Sequence, residues 1–275
     1  MIIDYVTDLH VNHWVWFQPN QLKWEKKTRE WTKHLIRNGH GEVLIIGGDF
    51  GEWNVQAMWV LDEVSKYYKR VYWTFGNHDL YMISKKDTKR YVDSKGRLGN
   101  LIEKTAYLEN VVPLIKRIDV FEGVTFAGDA LWYLPKTQQG WDFYKGTSND
   151  SNYVKLNSAW NLEDVPRMLH KESMDWYDTL ENEKIDVMVT HVPPVHPKLS
   201  HYPPNTCYMT DVPFLASTRW VCGHDHLQGT FEKAGTTFYM NGIGYPDVYD
   251  KVVANILPPE HVDAKLTFEL KSFTI

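Results

Sequence analysis

"RVYWTFGNHDLY", residues 70–81, sets an apolar, aromatic run directly against an amide, an imidazole and a carboxylate. The first six residues have the β-branched and aromatic content of a strand. Gly76 breaks the run, and Asn77, His78 and Asp79 follow in consecutive positions. Three polar side chains in a row either cap the strand or belong to a site, and the flanking sequence has to decide which.

Working outward, "IIDYV" (2–6) reads as a strand, and Trp24, Thr28, Trp31 and Leu35 then mark one face of a helix over about 21–37. "EVLIIGG" (42–48) is a second strand. A helix near 54–70 would turn Val55, Met58, Leu61, Val64 and Tyr68 to the core before the strand at 70–75. This β-α-β-α-β order, with nearly continuous apolar strands, predicts a parallel sheet buried on both faces. Past residue 100 the pattern is richer in strands. "KRIDVF" and "VTFAGD" flank Glu122-Gly123 as a hairpin. Residues 131–160 form an aromatic, turn-rich excursion within a single domain spanning 1–275. A helix over 163–182, strands at 185–190, 219–223 and 236–242, and a tail closing a sheet edge complete a layered α/β sandwich.

The chain has 275 residues, 43% hydrophobic and 24% charged, which suffices for a large core without disulfides. Its two cysteines form no CxxC pair, the N-terminus has no basic region ahead of its apolar residues, and no apolar run is long enough to span a bilayer. A soluble, cytoplasmic protein is expected. The net charge of −5 does not advertise nucleic-acid binding. One stretch departs from it: "SKKDTKRYVDSKGR" (84–97) carries six Lys/Arg against two Asp. It reads as a solvated face or, with Lys85, Lys86, Lys89 and Arg90, as a rim for a second phosphate.

The polar groups fall at strand ends. "TDLH" brings Asp8 and His10, "GGDF" brings Asp49, "GNHD" follows the third strand, His191 follows "IDVMVT", and "GHDH" brings His224 and His226. The C-terminal edge of an open α/β sheet is where ligands bind. Carboxylates and imidazoles without thiolate suit Mn²⁺, Fe, Zn²⁺ or Ni²⁺. Seven such ligands exceed one ordinary site and suit two metals sharing a carboxylate. Such a pair polarises phosphoryl oxygens, acidifies a bridging water and offsets the charge of in-line displacement.

The order "DLH", "GD", "GNHD", "H", "GHDH" resembles that of the calcineurin-like metallophosphoesterase superfamily, over residues 8–226. "AGDALWY", "THVPP" and "NGIGYP" look like its compact bacterial and phage branch. The resemblance implies a four-layer α/β/β/α sandwich with two mixed sheets. It implies a first metal on Asp8, His10 and His226, a second on Asn77, His191 and His224, and Asp49 bridging them, with Mn²⁺ the expected ion. It further implies that His78 protonates the leaving group and that Asp79 orients His78. "GDFGEW" lacks the arginine with which the protein Ser/Thr phosphatase branch grips phosphate. The expected function is hydrolysis of a phosphodiester, with a nucleotide-containing one as a candidate, that is, a small-molecule or nucleotide phosphoester. The alternatives are a phosphomonoesterase, a nuclease or a non-catalytic scaffold. Trp132, Tyr133, Trp141, Phe143 and Tyr144 are the candidates for stacking on a base, and His196 and His201 for lining the mouth. The oligomeric state is left open by the sequence.

Overall fold

The computed structural model describes residues 1–197, 200, 207–246 and 268–275. In chain order the elements are β1 (Ile2–Val6), α1 (Val11–Trp14), α2 (Gln21–Leu35), β2 (Val43–Ile46), α3 (Asn54–Val64), β3 (Arg70–Trp73), α4 (Asp87–Arg90), α5 (Ser94–Thr105), β4 (Val111–Pro113), β5 (Arg117–Phe121), β6 (Val124–Asp129), α6 (Gln138–Gly146), α7 (Asn149–Tyr153), α8 (Asp164–Tyr177), β7 (Val187–Thr190), β8 (Arg219–Val221), β9 (Gln228–Lys233), β10 (Thr236–Asn241) and β11 (Lys271–Thr274). One sheet runs β11-β1-β2-β3-β4, parallel except for β11; the other runs β5-β6-β7-β8-β10-β9, with parallel centre and antiparallel edges.

The strand alternation shows why these become four layers. Ile3, Tyr5, Val43, Ile45 and Tyr72 point from the first sheet into a cluster shared with Phe126, Val187, Val189 and Val221 of the second. The intervening Leu44, Ile46, Val71 and Trp73 pack instead with Leu35, Val60, Leu61 and Leu101 of α2, α3 and α5. On the far side Met188, Trp220 and Phe238 meet Tyr177 of α8 and Leu180. Each central strand is thus apolar on both faces, as buried parallel strands must be. The order is helices, sheet, sheet, helix, the predicted α/β/β/α sandwich with two mixed sheets.

Several boundaries differ from expectation. α3 stops at Val64, and its core face is Ala57, Val60, Leu61 and Val64. Val55 and Met58 belong to a second cluster with Trp24 and Trp59, because α3 is wedged between sheet and α2 and buries two sides. β4 and β9 were not anticipated; β4 is only three residues long and ends in Pro113, and β9 has a single large apolar residue, Phe231. The hairpin turn is as predicted, with φ of 49° at Glu122 and 80° at Gly123, the left-handed pair of a type I′ turn. β11 closes the edge beside β1; residues 264–267 of the tail lie outside the described residues.

The excursion over 131–160 contains two helices, α6 and α7. Trp132, Tyr133 and Tyr144 are fully buried, so they pack rather than stack on a ligand, and Trp141 lies under the Arg167 guanidinium. In the basic stretch Lys85, Lys86, Lys89 and Arg90 are solvated. Arg97 is the exception, 1% exposed in the core.

Candidate active site

Strands β1, β2, β3, β7 and β8 end on one rim. The two sheets join there: Thr7 N–H donates to Asn241 O (3.0 Å) and Ile243 N–H to Thr7 O (3.0 Å). That seam brings "TDLH" beside "GHDH". Asp8, His10, Asp49 and His226 offer ligand atoms that all lie within 4.8 Å of one another. The backbone is bent to achieve this. Asp8, His10, Asp49, His224 and His226 have φ of 54°, 44°, 55°, 73° and 54°. These five are among nine non-glycine residues in the left-handed region within the described chain, and such conformations cost of order 1–3 kcal/mol each.

The second half of the cluster fixes its own proton positions. His191 Nδ1 faces the Gly47 carbonyl at 2.9 Å, and His224 Nε2 faces the Cys207 carbonyl at 2.8 Å. A carbonyl only accepts, so those nitrogens carry the protons and the opposite nitrogens present lone pairs. His191 Nε2 and His224 Nδ1 then lie 3.1 Å apart, each 3.1 Å from Asn77 Oδ1. The Asn77 amide is turned this way because its Nδ2 donates to Tyr81 Oη (2.9 Å) and Asp150 Oδ1 (2.8 Å). Three acceptors therefore converge with no proton among them. Burial, reinforced by neighbouring imidazoles, pushes His191 and His10 well below the usual histidine range and His226 to about 3. Burial also raises Asp8 to about 7 and Asp49 well above the carboxylate range. Neutral imidazole lone pairs and carboxylates that ionise only with compensation make a donor set that fits divalent cations.

Asp49 lies between the two groups, its Oδ2 3.5 Å from both His10 Nε2 and His191 Nε2. All seven residues anticipated as ligands are brought together. Asp79 is not where it was expected. Its carboxylate accepts from the backbone N–H groups of Asp49 (2.9 Å), Phe50 (3.1 Å) and Gly76 (2.8 Å), and no hydrogen bond links it to His78 among the described residues. It ties the second and third strand ends together. The carboxylate facing His78 is Glu52, with Oε1 3.2 Å from Nδ1. Burial opposes ionisation of Glu52, but hydrogen bonds from His13 and His78 prevail and hold it at about 2. Arg97 donates to His78 O (2.7 Å) and Gly51 O (3.0 Å), which pins the backbone of both loops. Sequence reading passed over Glu52, Arg97, Tyr81 and Asp150. The only available signal was that Glu52 follows Asp49 by three residues on the same loop.

A cavity of about 360 Å³ opens over this cluster, lined among others by Asn77, His78, Phe143, Tyr208, His226 and Tyr245. Tyr245 Oη is 3.2 Å from His78 Nε2. His196 is half-buried; His201 lies outside the described residues. Among the described residues no helix is long and apolar enough to cross a membrane.

A family model described as calcineurin-like phosphoesterase matches residues 1–228. Among solved structures the chain is similar to a phosphopantetheinyl hydrolase from Mycobacterium tuberculosis, at TM-score 0.67 and 19% identity, over 90% of this chain and 91% of that one. At that identity the likeness is one of fold. An archaeal phosphodiesterase aligns at TM-score 0.32 and 12% identity over 88% of this chain and 84% of its own, too distant to carry an argument. No curated protein matches the chain significantly.

Proposed function

The chain belongs to the calcineurin-like phosphoesterase family, and from that premise we propose that it hydrolyses a phosphodiester at a dinuclear metal centre held by Asp8, His10, Asp49, Asn77, His191, His224 and His226. The observation that carries this reading is the convergence of His191 Nε2, His224 Nδ1 and Asn77 Oδ1 at 3.1 Å with their protons turned away, beside the carboxylate-imidazole cluster of Asp8, His10, Asp49 and His226. Two divalent ions bound there, Mn²⁺ as the expected ion, with Fe, Zn²⁺ and Ni²⁺ also suited to this mixed O/N set, would neutralise the phosphoryl oxygens and activate water.

The chain's own residues supply the rest. His78 presents Nε2 toward the cavity while its Nδ1–H is held by Glu52. An imidazole so oriented donates a proton to the departing oxygen. Glu52 accepts from Nδ1 and so fixes the tautomer and orientation of that imidazole, as carboxylates beside histidines do. Asp79 and Arg97 act through the backbone, fixing where the loops set His78. A diester is favoured because Arg97, a buried cation at these loops, is spent on two carbonyls rather than offered to a dianionic phosphate. Phe143, Tyr208 and Tyr245 flank room for an ester group.

The test is turnover of bis-nitrophenyl phosphate and nitrophenyl phosphate by chelator-treated protein before and after Mn²⁺ addition. Activity should vanish with the metal, return with it, and favour the diester. Full turnover by metal-analysed apoprotein would refute the metal centre, and a preference for the monoester would refute the diester assignment.

A further inference from the structure

The excursion over 131–160 offered its aromatic rings as candidates for stacking on a base. Its closest approach to the cluster is instead a carboxylate. Asp150, on α7, is 2% exposed. Its Oδ1 accepts from Asn77 Nδ2 (2.8 Å) and from the Tyr81 hydroxyl (2.5 Å), and its Oδ2 accepts from the Tyr133 hydroxyl. The excursion is also stitched to the segment that follows "GNHD": Met82 N–H donates to Tyr153 O at 2.8 Å, and Tyr81 forms a β-bridge with Val154.

We propose that Asp150 is a positioning residue for metal binding: it holds the Asn77 amide with its oxygen turned to His191 and His224, and so sets the affinity of that half of the centre for a divalent cation. The inference rests on the metal reading given above. The physical argument has two parts. The first is orientation. Both Nδ2 protons of Asn77 have acceptors, Tyr81 Oη and Asp150 Oδ1. A flipped amide would set its oxygen against the Asp150 carboxylate at hydrogen-bond distance, with no proton between them. Only one orientation is tolerated, and it aims Oδ1 at the two imidazole lone pairs. The second is polarisation. A buried negative charge on the N–H side of an amide draws density toward its oxygen, and a neutral amide is the weakest donor in this set. Tyr81 and Tyr133 each turn a hydroxyl to an Asp150 oxygen, so the carboxylate only accepts from the groups around it. The bland alternative is that Asp150 merely anchors α7 to the sandwich. That would lower stability when it is removed and leave metal affinity unchanged.

Asp150→Asn keeps an oxygen that can accept from Asn77 and removes the charge; Asp150→Ala removes both. Metal-stripped wild type and both variants are titrated with Mn²⁺, following free ion by electron paramagnetic resonance, with thermal unfolding recorded in parallel. The wild type should take up two ions. In Asp150→Asn the first ion should bind normally and the second about 10-fold more weakly. In Asp150→Ala the second should weaken by about 10–100-fold, the range for partners of metal ligands. Two ions bound with wild-type affinity in either folded variant overturn the proposal, even if the unfolding temperature has dropped. If Asp150→Ala does not fold, Asp150→Asn decides alone. A wild type that binds fewer than two ions would instead sink the metal reading itself.

Discussion

Glu52 stands beside His78 where the sequence placed Asp79. Asp79 is adjacent to His78 in the chain, yet it is buried under two loops and saturated by three N–H donors. Glu52 comes from another strand end and meets the imidazole at 3.2 Å. Glu52→Gln should therefore keep its metals and lose rate, more with an alkoxide leaving group than with a nitrophenolate, which needs no proton. The loss should stay below the roughly 10²–10⁴-fold of an absent general acid, since His78 remains. Equal losses on both substrates would reject Glu52 as the orienting carboxylate. The same residue carries a pH signature. With its folded pKa depressed from 4.5 to about 2, its stabilisation is fully present above pH 4.5 and is lost as pH falls toward 2. The midpoint of urea unfolding should thus fall less steeply between pH 5 and 3 in Glu52→Gln than in wild type.

Among the elements, the excursion separates into packing and site. Trp132 and Tyr144 are 2% and 1% exposed in the core, whereas Phe143, one residue before Tyr144 on α6, lines the cavity with Tyr208. Trp132→Ala should lower stability by about 3–5 kcal/mol and change KM little for any substrate that the folded fraction still turns over. Phe143→Ala should raise KM for a diester with a bulky ester group and barely alter thermal unfolding. The check is steady-state kinetics beside thermal melts on both variants; a KM effect confined to Trp132→Ala would reverse the assignment. The glycines of the strand ends make the same point in reverse. A Cβ on Gly76 would collide with Asp49 Oδ1 and His191 Cε1, so the approach of β3's end to β2 and β7 depends on a bare backbone.

Across the whole molecule, the site sits at the seam of two sheets, and among the described residues neither Asp8 nor Asp49 is paired with a lysine or arginine. Asp8 and Asp49 are both 1% exposed or less, and each is raised by burial and by the other acids. Divalent ions bind the folded protein and relieve that penalty, so they should stabilise it by mass action. Mn²⁺ at about 100 times its dissociation constant adds about 2.7 kcal/mol per site. The thermal midpoint of stripped protein should rise with Mn²⁺ in wild type and much less in Asp49→Asn, read by differential scanning fluorimetry. An Asp49→Asn protein with the full shift would show that this carboxylate does not serve both halves.

What the sequence by itself determined was the set of elements and the chemistry of their ends. Apolar strands and helical periodicity are local properties, so β1–β3, α2 and the β5–β6 hairpin could be read directly, and the seven candidate ligands stood out as polar groups terminating apolar runs. What only the tertiary structure decided was which groups face one another. Asp79 lost its expected partner because backbone N–H groups of a neighbouring strand end claimed both oxygens. Val55 and Met58 left the main core because α3 is covered on two sides. Arg97, read within a basic stretch, and Asp150, within the turn-rich excursion, became buried partners of His78 and Asn77. Composition gives the average environment of such residues. Their actual partners come from loops 19 and 73 positions apart in the chain, brought together when the sheets and the excursion close over the rim.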